Sequence, residues 1–173
     1  MIELLRTRRS IRKYERRSID EGSLAILREA LLRCPSSRGI NPWTFIFVDD
    51  PALLVALSRA KEHGSAFVKD AALAIVICAD GSKSDVWVED CSVAATVAHL
   101  TAHSLGLGSC WVQVRQRRSQ DGRAAEEHVR EILNIPEGIM VEAIIAMGYP
   151  AETREAVPSE RLDHGKIRIN MYR

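Results

Sequence analysis

A chain of 173 residues, 46% of them hydrophobic, is long enough to close one core without metal or disulfide support. Its formal net charge of +1 excludes a protein that works by blanket attraction to nucleic acid or to a membrane surface, so any basic patch is local. The four cysteines, Cys34, Cys78, Cys91 and Cys110, are widely spaced with no Cys-x-x-Cys or Cys/His cluster, and they read as small buried hydrophobes in a reducing compartment.

In chain order, residues 1–6 predict a short helix, and residues 7–17, TRRSIRKYERR, form a dense basic segment. Ser18-Ile19-Asp20-Glu21 matches a capping box, with Ser18 as the cap, ahead of an amphipathic helix that carries Leu24, Leu27 and Leu31. That helix stops before Pro35, which disfavours a helical conformation at Cys34. Residues 35–43 are a loop by composition, leading into a strand over 43–48. A second helix starts at Pro51 and fades near His63-Gly64. The apolar run AALAIVICA at 71–79 predicts a central strand covered on both faces.

The spine of the chain lies at residues 87–112. From Val88 to Leu105 the apolar residues circle most of a helical wheel, which predicts a helix covered on nearly all sides; His99, Thr101 and His103 make it too polar to span a bilayer. Gly106 and Gly108 are assigned the positive φ angles that end this helix, and a strand over 109–115 follows. After a polar loop at 116–123 come a helix over 124–133, a turn at Ile135-Pro136-Glu137-Gly138, and a fourth strand over 139–147. Residues 165–173, GKIRINMYR, alternate apolar and polar and predict a terminal strand in need of a sheet edge, its own or a partner's. No internal repeat or boundary divides the chain, so residues 1–173 read as a single domain.

Two stretches carry the equipment for ligand binding. Arg8-Arg9-Ser10-Ile11-Arg12 combines guanidinium groups with a hydroxyl, as phosphate recognition requires, although such a run also suits a solvated face. Pro35 to Trp43 offers two adjacent hydroxyls, an amide and an indole to the edge of a planar ligand, or simply turn chemistry. His99 and His103 share a helix face but lack the glutamate of a zinc protease motif, so no metal is predicted. Gly106-x-Gly108 ends a helix rather than opening one, which removes a dinucleotide phosphate loop. A nucleic-acid partner lacks the interleaved aromatics expected of it. The basic, non-apolar N-terminus predicts a cytoplasmic protein without membrane contact.

These pieces together resemble the nitroreductase family of FMN-dependent oxidoreductases. The resemblance rests on Arg8-Arg9-Ser10-Ile11-Arg12, Pro35-Ser36-Ser37 followed by Asn41-Pro42-Trp43, Glu89-Asp90, the run from Leu105 to Trp111, and Pro136-Glu137-Gly138 leading to Met147-Gly148-Tyr149-Pro150. It implies an α+β fold in which helices flank a mixed, mainly antiparallel sheet, assembled as an intertwined homodimer with FMN at the interface. By resemblance, Arg8, Ser10 and Arg12 hold the phosphate and ribityl chain, and Arg9 touches the ring edge. Pro35, Ser36, Ser37 and Asn41 come from the other subunit. Trp111, Val112 and Gln113 lie beside the ring, and Lys166 or Arg168 completes the phosphate site. Arg9, Arg38 and Gln113 are the polar groups expected to orient substrate. Gly39 and Asn41 stand where the family commonly has asparagine and glutamine. The activity implied is transfer of electrons from NAD(P)H through FMN to a small-molecule acceptor by a ping-pong route, with no catalytic side chain; the alternative is a non-catalytic FMN sensor or carrier.

Overall fold

The computed structural model describes residues 1–172; Arg173 lies outside the described residues. The elements run α1 (Ile2–Thr7), α2 (Glu21–Leu32), β1 (Trp43–Val48), α3 (Pro51–Leu57), β2 (Leu73–Asp80), α4 (Trp87–Ser104), β3 (Gly108–Gln113), α5 (Ala125–Ile132) and β4 (Ile139–Gly148). The four strands form one sheet in the order β1-β2-β4-β3, and every ladder is antiparallel. Among the described residues, its one parallel pairing is a bridge from Ser10 to Ser109. The expected α+β sheet flanked by helices is present.

The apolar pattern explains the layering. β2 and β4 are buried almost throughout because both sheet faces are covered. On one face, α2 and α4 pack Leu27, Leu31, Cys91, Ala94, Ala95, Ala98 and Ala102 against Leu73, Ile75, Ile77, Ile145 and Met147. The four alanines let α4 lie close to its neighbours without overpacking. On the other face, Leu54, Leu57, Val68 and Val129 cover Val48, Val76 and Ile144, joined by Ile11 and Tyr14 from the segment between α1 and α2. All four cysteines are buried and unbridged.

Several expectations shift in detail. The cap of α2 is Asp20 rather than Ser18: its carboxylate accepts from Ser23 N at 2.9 Å and from Ser23 Oγ at 2.7 Å, so the helix starts at Glu21. α3 ends at Leu57, because Ser58 Oγ bonds back to Val55 O and the chain turns there. The residues at 165–172 are not a strand: they lie exposed, with Ile169 at 82%, because no edge of this chain receives them. One side of α4 is also left open, with Val93 exposed.

The turn after α4 divides its two glycines by role. Gly106 has φ +74 and forms a Schellman cap, in which Leu107 N donates to Ala102 O at 2.9 Å and Gly106 N to His103 O at 3.1 Å. Gly108 was expected to need positive φ and does not. It is glycine because the N-terminal segment crosses over it: a Cβ there would stand 2.7 Å from Ile11 Cβ. Its ladder partner Gly148 sits under Tyr14 in the same way, with the nearest approach at 3.2 Å. The two glycines form a notch that receives Ile11 and Tyr14.

β4 carries a bulge. Ile77 pairs with Ala143 and Cys78 with Val141, which leaves Glu142 as an extra residue. Its carbonyl accepts from Val114 N at 3.2 Å and Arg115 N at 3.1 Å.

Filling the notch should loosen this seam. Gly108→Ala is expected to cost roughly 1–3 kcal/mol in urea unfolding, because Ile11 is wedged between core residues and must move. Gly148→Ala, where the first contacts begin at 3.2 Å, should cost less. Equal and negligible losses would show that the segment simply lifts away.

Candidate functional site

The N-terminal arm is the first component. Ile11 N donates to Ser109 O at 3.0 Å, and Tyr14 Oη donates to Ile11 O at 2.7 Å and Ala146 O at 3.2 Å. With Ile11 and Tyr14 facing inward, the arm is held along β3 at Ser10 and Ile11 rather than left in solution. Arg8, Arg9 and Ser10 are half-buried, whereas Arg12 is exposed. The arm is also strapped from outside: Arg12 N donates to Glu152 Oε1 at 2.7 Å, Ala151 N to Lys13 O at 2.9 Å, and an Arg9 guanidinium nitrogen to Glu155 O.

This strapping separates the cations expected to act together. Arg8 and Arg9 line a groove of about 260 Å³ with Gly106, Gly108, Ser109 and Arg154. Arg12 lines a larger cavity of about 730 Å³ on the other side of the arm, with Lys13, Arg16, Arg17, Lys69 and the carboxylates of Asp49 and Asp70. Arg12 also lies over the Phe67 ring at 5.8 Å. The groove is also lined by Glu152, which pairs with Arg154 at 2.9 Å, so Arg8 and Arg9 are the guanidinium groups that supply it with net positive charge and forked donors suited to a phosphate.

The second component is β3. Trp111 points toward α4 and stacks on His99, with ring centroids 6.4 Å apart and planes 23° from parallel. Trp111 Nε1 donates to Gln113 Oε1 at 2.9 Å, and Gln113 Nε2 donates to Arg115 O at 3.1 Å. His99 Nδ1 lies 2.7 Å from Ser109 Oγ. Val112, between them, turns its side chain into the opposite core and is 1% exposed, so only its backbone is available to a ligand. Burial, helped by the Arg8 charge, pushes His99 down to about 4.

Sequence reasoning did not single out the contact between His99 and Ser109, nor Glu142. The signal for Glu142 was legible as one carboxylate inside the apolar run IMVEAIIAMG. It is buried, its Oε2 has no hydrogen-bond partner, and burial raises its pKa.

The third component is the loop at 35–41. Ser36 Oγ donates to Asn41 Oδ1 at 2.7 Å and accepts from Asn41 N at 2.9 Å, while Ser37 N donates to Asp90 Oδ1 at 2.8 Å. Arg38 pairs with Asp85 at 2.5 Å, and Arg38, Gly39 and Asn41 all have positive φ. Pro42 O accepts from Asp80 N, which sets the loop beside the end of β2, whereas the arm crosses the sheet where β2 begins. β1 and β3 are moreover opposite edges. One chain therefore does not bring Pro35, Ser36, Ser37 and Asn41 to Arg8 and Ser10.

Lys166 and Arg168 also stand apart. Both are exposed, and Arg168 bonds to Gly165 O and Ile167 O and lies over Tyr172, without a described contact to the arm. Among the described residues, no group of His, Cys, Asp or Glu is arranged to hold a metal ion, and no helix is long and apolar enough to cross a membrane.

A model of the nitroreductase family matches residues 5–66 and 51–149, covering the arm, the loop and all four strands. The chain belongs to the nitroreductase family. Among solved nitroreductase structures, an FMN-dependent nitroreductase from Clostridium difficile R20291 is 45% identical, with a TM-score of 0.97 over 99% of this chain and 100% of its own. A protein of Methanothermobacter thermautotrophicus named "Putative NADH dehydrogenase/NAD(P)H nitroreductase" is 36% identical over 94% of this chain and 85% of its own length. An NADH dehydrogenase of Thermus thermophilus is 32% identical over 90% of this chain and 88% of its own.

His99 gives the nitroreductase site a pH signature. The unfolded histidine, with its ordinary value of 6.5, takes up a proton that the folded protein refuses until about 4. Stability should therefore be full above pH ~6.5 and decline by ~3 kcal/mol as pH falls toward 4. His99→Gln should flatten that decline in urea midpoints measured across the window.

Proposed function

We propose that this protein is an FMN-dependent NAD(P)H oxidoreductase of one domain, acting as a homodimer in the cytoplasm. The observation that carries the proposal is the pinning of the arm to β3, which sets a guanidinium-lined groove at Gly108 and Ser109, on the strand that carries Trp111 two residues further on. That pairing suits a flavin mononucleotide: charge-assisted donors for the phosphate, and an apolar edge for the ring. The orphaned Glu142 Oε2 behind Gln113 keeps a polar atom close to the same strand. When bound, the flavin supplies the redox chemistry, taking hydride from NAD(P)H and passing electrons to a small acceptor.

The chain's own residues bind and orient. Arg8, Arg9 and Ser10 hold the phosphate and ribityl end, with Arg12 at the neighbouring cavity; Trp111, the Val112 backbone and Gln113 flank the ring. Pro35, Ser36, Ser37 and Asn41 lie at the far end of the sheet and reach a flavin only from a second chain. The dimer reading also accounts for exposed apolar residues on α1, α2 and α4, including Leu32 at 72% exposure. It gives the alternating tail, with Lys166 and Arg168, a partner surface on which to order.

Bleaching of bound flavin by NAD(P)H is the decisive experiment; a stable yellow protein with no donor oxidation means a carrier or sensor. Steady-state rates at several fixed acceptor concentrations should give parallel double-reciprocal lines, since donor and acceptor use one ring face in turn. Intersecting lines overturn the ping-pong route. Arg8→Ala should weaken FMN about ten- to a hundred-fold while leaving riboflavin, which lacks the phosphate, unchanged. The same titration on Arg12→Ala reports whether the larger cavity shares the phosphate.

A further inference from the structure

Within the site, the hydrogen bonds of Gln113 can be counted to completion. An indole N–H only donates, so the amide atom facing Trp111 Nε1 at 2.9 Å is the oxygen. Backbone carbonyls only accept, so the amide atom facing Arg115 O at 3.1 Å, and Glu142 O at a longer 3.5 Å, is the nitrogen. The two assignments agree and leave no freedom to exchange oxygen and nitrogen. Both N–H groups are directed into the protein. What remains is one lone pair on Oε1.

Of the two carbonyls on the nitrogen side, Arg115 O follows β3 and Glu142 O is placed by the bulge. With Glu142 extra on β4, its C=O faces β3 and gathers Val114 N, Arg115 N and Gln113 Nε2. On the other side, the indole that fixes Oε1 is itself stacked on His99, which is held by Ser109. A side-chain amide ordinarily meets a ligand with either end. This one has been committed to a single polarity.

We propose that Gln113 meets its ligand only as a hydrogen-bond acceptor, selecting a ring edge that presents an N–H, with Trp111 and the Glu142 bulge as the positioning residues. The inference rests on the reading that β3 flanks a bound isoalloxazine. That ring offers an N–H at N3 in both oxidation states and at N5 only when reduced. Acceptor-only polarity at N3 strengthens binding of both forms, whereas at N5 it favours the reduced form over the oxidised, whose N5 is itself an acceptor.

The test uses the full-length protein and FMN, scored by dissociation constants for the oxidised and reduced cofactor and by the midpoint potential. Parent binding is measured first: a parent that takes up no FMN defeats the functional proposal and this one with it. Given parent binding, Gln113→Met, of similar length without the amide, should weaken FMN about tenfold. Loss from both redox forms assigns N3; loss from the reduced form alone, with the potential falling by about 30 mV, assigns an N–H that exists only on reduction, N5 or, if the loss disappears at pH values where the hydroquinone is anionic, N1. Trp111→Phe removes the donor that fixes the amide and should weaken the same form or forms by about threefold, through lost preorganisation. It carries the test if Gln113→Met does not fold. Unchanged or tighter binding of both forms by Gln113→Met overturns the proposal, as does parent-like binding by Trp111→Phe.

Discussion

The contact on which the rest of the site depends is the seating of Ile11 and Tyr14 in the notch between Gly108 and Gly148. A basic arm at a chain terminus has every reason to remain solvated, since its charges repel and its backbone is hydrated. Here two apolar side chains are driven into the core, and the parallel bridge at Ser109 completes the seam. The hydrophobic gain is shared by residues that do no chemistry. The guanidinium groups between and beside them are carried along. This removes much of the entropy cost that a free arm would incur on meeting an anion.

A second organising feature is the polar strip within an otherwise apolar layer. Ser109, His99, Trp111, Gln113 and the Glu142 carbonyl are linked in turn where β3 meets α4 and β4, through hydrogen bonds and one ring stack. Each member restricts the next. Buried polar groups of this kind contribute modestly to stability when satisfied and cost much more when broken. Their value here lies in orientation.

Most of the fold was legible in the sequence, because the apolar periodicities of β2, α2 and α4 are long and consistent. The misassigned details share one cause: a local pattern admitted two readings that only tertiary context separates. Ser18 and Asp20 both qualify as caps, and the path of Ile19 into the core selects Asp20. Gly108 resembled a turn glycine because it follows one, yet its requirement comes from Ile11, far away in sequence. The tail alternates as a strand does but finds no edge within this chain. For the site, the arm, the loop and β3 stood out by residue type. The separation of Arg8 from Arg12 did not: a two-residue period puts positions 8, 10 and 12 on one face, and only the folded chain, with Arg8 beside Gly106 and Gly108 and Arg12 over Phe67, sets them apart.

The burial of the four cysteines has a separate consequence. A protein that handles reducing equivalents is exposed to oxidants by its own trade, and sulfur is the atom most easily damaged. Cys34, Cys78, Cys91 and Cys110 are all shielded, and burial raises each thiol, with Cys78 and Cys91 pushed up to about 12. The reactive thiolate is therefore scarce as well as screened. The native sulfurs are expected to react slowly with alkylating reagents until the layers part. β2, α4, β3 and the turn after α2 thus each carry a clock for how often the fold breathes.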